Sequence, residues 1–566
     1  MLAAIVILIG VVVVSKVLRH MLAVVVMSMA VVFAFAIAPG TARAADTGAI
    51  TVDGTVATRY DAYQLFSATV VDDADADQKV ATDVAWANDT VRQAALPVLH
   101  DAGLDNSAST AQEAAEWMNA DGHMTTTLAA KLARAIYNAG APSVALNAGT
   151  TAELPCGYWL IGADDDAISQ GEAGTAPIMA LVGGSAVSVK PKAATPKVSK
   201  HVLEDSAAAW RKAADATVAD DLYWRLSATV PAGLTAYDTY TVQFVDTMGA
   251  GLDLSKVAAS MRVYVAAGAD GGFDAVSAGK DGRAGTEPAK GWTDITAQCA
   301  TKVAAGGTFT VRTGDLIAAL GGADAFTAGA RVVAVYNAPL NSACNHGIAK
   351  GNPNEVYLRY PRSPFADQSG DAGFTRTPSD DACAYTWDLA LTKRGSDGDK
   401  PLAGAVLSIA DDRGRTLAAD GTWDTEGKAT ATTGEDGRVT VSGVDSGKLE
   451  VRELKAPKGY TAFEGTRSVT VKAEGLDVDQ VAAAKPKLTI TAESPLRADS
   501  ADGSTGSLEA SLINTPTGTP PSITTGGFMP STGDMAMYAA AAAAVAGAAL
   551  IVVALLVKRG GGSHKE

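Results

Sequence analysis

The chain is poor in the residues that build enzyme centres. It has four cysteines in 566 residues (Cys156, Cys299, Cys344 and Cys383), too widely spaced for a zinc knuckle or a CxxC redox site. Its six histidines are scattered, with no HExxH pair, no GxSxG elbow and no glycine-rich phosphate loop after a strand. Hydrolase and cofactor chemistry therefore have no visible seat, and neither a cofactor nor a metal is expected. The acidic run Ala163-Asp164-Asp165-Asp166 reads as a solvated turn rather than a metal site. Basic charge is also scarce between the two ends. Residues 45–532 hold 40 Lys and Arg against 60 Asp and Glu, a net of −20 that repels nucleic acid and anionic lipid.

Long apolar runs are confined to those ends. Met1–Val14 and Met21–Ala38 flank Lys16, Arg19 and His20 and lead into the small-x-small stretch Ala42-Arg43-Ala44, so residues 1–44 read as a secretory signal, with Met21 an alternative start. Met535–Val557 is 23 residues without a charge, which at about 1.5 Å per residue spans the roughly 30 Å hydrocarbon core as a helix. Lys558 and Arg559 follow and hold the short tail 558–566 in the cytoplasm, placing the bulk of the chain outside. Oxidising surroundings favour disulfides, and Cys299 with Cys344 is the expected pair because both fall in one block.

Between the ends the pattern is mainly β. The segment ITVDGTVATRYDAYQLFSATVVDD alternates apolar and polar residues, then Ala-rich stretches with helical spacing run from about Ala81 to Ala139, and strands resume at CGYWLIG. Residues 45–192 are thus a β domain with a helical insertion. Residues 193–370 and 384–515 are two all-β blocks, with strands at the intervals of immunoglobulin-like sandwiches. The Pro/Gly/Thr-rich linker 516–528 suits an extended spacer through a cell wall.

Met529-Pro530-Ser531-Thr532-Gly533 (529–533), followed by the apolar span 535–557 and the basic tail, resembles the Leu-Pro-x-Thr-Gly sorting signal of Gram-positive surface proteins. The resemblance implies cleavage between Thr532 and Gly533 by a sortase, transfer of the threonyl carbonyl to an amine, and final attachment to peptidoglycan at the cell surface. The block 384–515 resembles the collagen-adhesin B-type sandwich, through Leu391-Thr392-Lys393, Glu453 in VRELKAPKGY and Asn514 in SLIN. That family joins such a Lys and Asn by an internal isopeptide bond with the Glu as catalyst, which assigns those roles to Lys393, Asn514 and Glu453. The block 193–370 resembles the middle domain of sortase-assembled shaft pilins, implying a bond between Lys200 and Asn354 with Asp246 as catalyst. Lys197 and Asn352 stand close enough to be rival assignments. Val189-Lys190-Pro191-Lys192 resembles the pilin motif whose lysine receives the next subunit, a role that falls to Lys192, with Lys190 the alternative.

The chemistry can be reasoned without the family. An ammonium cannot attack a carboxamide. Burial lowers a lysine's pKa and raises that of an acid beside it, while folding supplies proximity. The expected protein is a structural pilus subunit with identical subunits as partners, supporting adhesion to an unidentified host ligand. A monomeric wall-anchored adhesin or minor pilin is the alternative.

Overall fold

The computed structural model describes residues 47–518 apart from 55, 74–77, 121, 170, 175, 192–194, 233, 269–290 and 367. The signal segment, the sorting motif with Thr532 and Gly533, the apolar span 535–557 and Lys192 lie outside the described residues. Among the described residues no helix is long and apolar enough to cross a membrane.

In the first domain, Thr47–Val52 pairs antiparallel with Thr151–Pro155 and parallel with Val187–Val189. A second sheet runs Gln78–Trp86, Arg59–Asp73, Gly157–Ala163, Ile178–Val182, with Val144–Asn147 also on the long strand. Three helices, Asp89–Asp101, Ala111–Asn119 and Thr126–Asn138, fill the insertion. Their starts follow from side-chain oxygens that satisfy otherwise orphaned amides: Asn88 accepts from Val91, Thr110 forms a capping box with Glu113, and Thr125 accepts from Leu128. Their apolar faces, including Val91, Leu99, Met118, Leu132 and Ile136, pack with Leu65 and Phe66 of the sheet. The insertion begins later than Ala81, because Gln78–Trp86 is still a strand. Asp164 departs from the solvated-turn reading: it is buried, ion-paired with Arg59, and caps the amide of Asp166 at 2.9 Å.

The second domain is a two-sheet sandwich. One sheet runs Ala209–Arg211, Val198–Glu204, Tyr223–Thr229, Arg331–Asn337, Arg262–Ala266, Thr293–Asp294. The other runs Ala213–Asp215, Asp380–Tyr385, Asn352–Pro361, Gln243–Met248, Thr308–Arg312, Ala300–Val303, with Phe374–Arg376 also on Asn352–Pro361. Alternate residues such as Trp224 and Leu226 from the first sheet meet Phe244, Val356 and Leu358 from the second.

The third domain opens at Trp387. Its smaller sheet orders Arg438–Val444, Trp387–Gly395, Ser507–Pro516 and Tyr460–Thr461, with Leu496–Asp502 also on Ser507–Pro516; the facing sheet centres on Val406–Ala410, Gly447–Lys455 and Thr466–Glu474. The boundary differs from the expected one. Asp380–Tyr385 pairs with Asn352–Pro361 and so belongs to the second domain, leaving only Thr386 before the first strand of the third. The junction is stitched by Val218 N to Gly443 O at 2.8 Å and by Trp387 Nε1 to Asp215 at 2.7 Å.

The expected Cys299–Cys344 disulfide is absent. Each of the two thiols is engaged locally instead. Cys299 Sγ turns back to the Ile295 carbonyl at 3.2 Å, while Cys344 Sγ lies 3.5 Å from His346 Nε2. Burial raises both thiols, Cys299 to about 11, so they stay protonated.

Candidate cross-linking sites

Burying a lysine costs free energy unless its charge is paired or discharged. Among the described residues Lys200 and Lys393 are the most deeply buried lysines, each at most 1% exposed.

In the third domain Lys393 and Asn514 stand on neighbouring parallel strands, with Lys393 opposite Leu512 and Asn514 opposite Gly395. Alternation turns both side chains inward. Gly437 supports this strand from outside: it is left-handed (φ +73°), and a Cβ there would meet the Lys393 carbonyl at 2.9 Å. Glu453 arrives from the facing sheet on Gly447–Lys455. Lys393 Nζ donates to Asn514 Oδ1 in a short contact and lies 3.4 Å from Glu453 Oε1, which accepts from Asn514 Nδ2 at 2.9 Å. The other carboxylate oxygen accepts from the Phe463 amide at 3.1 Å, which fixes the acid's orientation. Burial pushes the Lys393 amine down to about 8, against the opposing pull of Glu453.

The second domain assembles the same residue types differently. Lys200 comes from one sheet, on Val198–Glu204, and Asp246 and Asn354 from adjacent strands of the other, with Met248 opposite Asn354. Lys200 Nζ makes a short ion pair with Asp246 Oδ2. Both groups are fully buried. Burial is the leading cause of both shifts, lowering the lysine to about 8 and raising the aspartic acid. Both directions favour the neutral amine beside the neutral acid.

No sequence motif pointed to Tyr336, yet it stands at the centre of this site. Its hydroxyl accepts from Lys200 Nζ at 2.9 Å and from Asn354 Nδ2 at 2.8 Å, and donates to Asp246 Oδ2 at 3.0 Å. Its one proton and two lone pairs are all used. The ring packs edge-on against Phe309, and Lys200 Nζ also lies 5.5 Å from the Trp224 ring. Asp246 Oδ1 and Asn354 Oδ1 remain buried without partners.

The rival residues stand elsewhere. Lys197 is exposed. Asn352 is buried, but its amide is spent on the backbone: its oxygen accepts from Asn345 N at 2.8 Å and its nitrogen donates to Asn345 O at 2.9 Å and Ala384 O at 3.2 Å. Lys190 is exposed just after Val187–Val189. Among the described residues no group of His, Cys, Asp and Glu is arranged to hold a metal ion.

Fold and sites together define a class: tandem β-sandwiches, two of which bury a lysine, an acid and an asparagine together. Residues 388–485 match the family model of the SpaA prealbumin-like fold domain. A stretch of 143 residues, 24% of this chain, is 29% identical to the trypsin-resistant surface T6 protein of Streptococcus pyogenes serotype M6. That match spans about a quarter (24%) of the curated relative's length. Among solved structures, the T6 backbone pilin of serotype M6 Streptococcus pyogenes is 16% identical, with TM-score 0.46, over 86% of this chain and 100% of that one. The full-length major pilin SpaD of Corynebacterium diphtheriae is 14% identical, with TM-score 0.40, over 84% of this chain and 98% of that one.

Proposed function

We propose that the chain is a structural subunit of a covalent pilus on a Gram-positive cell surface, stiffened by two internal Lys–Asn isopeptide bonds and not an enzyme with turnover. The observation that carries this reading is the pair of buried Lys, acid and Asn sets in successive domains.

In the third domain the step follows from the contacts. Lys393 gives a proton to Glu453, and the freed amine attacks Asn514 Cγ. Glu453 then returns its proton to Nδ2, from which it already accepts a hydrogen bond at 2.9 Å. The C–N bond to Nδ2 breaks, ammonia leaves, the amine nitrogen sheds its extra proton to the acid, and an amide joins the two strands. Lys200 and Asn354 are joined with the same loss of ammonia, with Asp246 as the acid. The reacting groups need no outside catalyst, because folding has already brought them together.

Polymerisation uses the junction after the first domain and the C-terminal end of the mature chain. A sortase cleaves after Thr532 and hands its carbonyl to Lys192 of the next subunit, and the last subunit is passed to peptidoglycan. The name of the streptococcal relative, a trypsin-resistant surface protein, accords with a cross-linked exterior chain. An amine at a domain junction and an acyl donor at the far end give a head-to-tail contact, which grows as an open fibre rather than closing as a ring. Boiled cell-wall extracts run on SDS gels test this. A ladder of multimers that Lys192→Ala abolishes is the expected result, and a single band in the wild type contradicts the polymer.

A further inference from the structure

The two sites differ in how the acid reaches the asparagine. Glu453 touches Asn514 Nδ2 directly at 2.9 Å, whereas Asp246, one methylene shorter, is joined to Asn354 through the Tyr336 hydroxyl, at 3.0 Å on one side and 2.8 Å on the other. We propose that Tyr336 is a catalytic residue of the second domain, relaying a proton from Asp246 to the departing nitrogen of Asn354 and so making up the missing methylene. This rests on the isopeptide reading above.

The relay balances. Lys200 gives a proton to Asp246, and its neutral nitrogen attacks Asn354 Cγ, moving the carbonyl electron pair onto Oδ1. As the tetrahedral species collapses, Tyr336 passes its hydroxyl proton to Nδ2 and takes the one held by Asp246. Ammonia departs, and the new amide nitrogen surrenders its extra proton to Asp246, which ends protonated. Tyr336 is unchanged overall. Its position also orders the reactants, because the same oxygen accepts from Lys200 Nζ and from Asn354 Nδ2 and holds nucleophile and leaving group around one atom. A phenylalanine would keep the edge-on contact with Phe309 and lose the hydroxyl with its bonds to Lys200, Asp246 and Asn354.

The test follows each linkage separately in the full chain. After synthesis is stopped, samples are digested at intervals, and the cross-linked peptide containing Lys200 and Asn354 is quantified against the one containing Lys393 and Asn514. Tyr336→Phe should slow the first linkage about a hundredfold or more, the usual worth of a general acid or base, and leave the second unchanged. The double variant Y336F/D246E should recover it, since the longer acid reaches Asn354 directly as Glu453 reaches Asn514. Packing alone would not produce that rescue. Wild-type speed in Tyr336→Phe overturns the relay while leaving the isopeptide reading intact. So does a folded double variant that stays as slow as the single one. Absence of the Lys200–Asn354 peptide from the wild type overturns both.

Discussion

At the scale of single residues, the deciding quantity is the protonation of two buried lysines. With the amine of Lys393 at about 8 against its usual 10.5, a folded but unlinked domain binds fewer protons than the unfolded chain between those values. Stability of such a variant therefore rises with pH across that window. Asn514→Ala, which strands Lys393 as a free amine, should gain thermal stability relative to wild type as pH moves from 8 to 10.5. A constant difference over that range would contradict the discharged-amine account. Glu453→Ala leaves no group near Lys393 to take its proton and should retain the ammonia of the third domain, read as a missing cross-linked peptide. The acid, amine and amide of each set were legible in the sequence because flanking motifs such as KAPKGY and SLIN mark them. Tyr336 was not. Alternation in RVVAVYNA turns it inward with Val332 and Ala334, but nothing in the pattern says that its hydroxyl meets a lysine from a strand 136 residues away. The Cys299–Cys344 pairing failed for a related reason: membership of one domain does not fix where two thiols point.

At the scale of elements, each proposed bond joins strands whose order in the chain is far apart and whose place in the sandwich is close. Lys393 lies on the strand that runs parallel to the one bearing Asn514, the first and last strands of the third domain. Lys200 and Asn354 cross from one sheet to the other. Each link closes a loop of more than a hundred residues, which by analogy with a disulfide removes about 4–5 kcal/mol of unfolded-chain entropy. Asn354→Ala should accordingly lower the melting temperature of the second domain by on the order of 10 °C, measured by calorimetry, and an unchanged transition would deny the link any role in stability. The strands and the Ala-rich helices were visible as period-two and helical patterns. The strand Asp380–Tyr385 was not assigned to the second domain, since it continues almost directly into the first strand of the third. Its pairing with Asn352–Pro361 and Ala213–Asp215 reveals which sheet it belongs to.

At the scale of the whole molecule, a tether must carry load from one end to the other. The proposed bond between first and last strands of the third domain would pass tension entering at its start to its end through an amide and bypass the ladder of sheet hydrogen bonds. The second domain hands tension to the third through the single residue Thr386, with side contacts such as Trp387 to Asp215 bracing the joint. The acidic exterior, −20 over residues 45–532, keeps such chains apart except where covalent chemistry joins them. The measurement that bears most directly on this account is the intact mass of the secreted chain. Two internal linkages predict a mass below the translated value by two ammonias, restored one at a time by Asp246→Ala and Glu453→Ala once the substitutions themselves are allowed for. A wild-type mass equal to the translated value would contradict it.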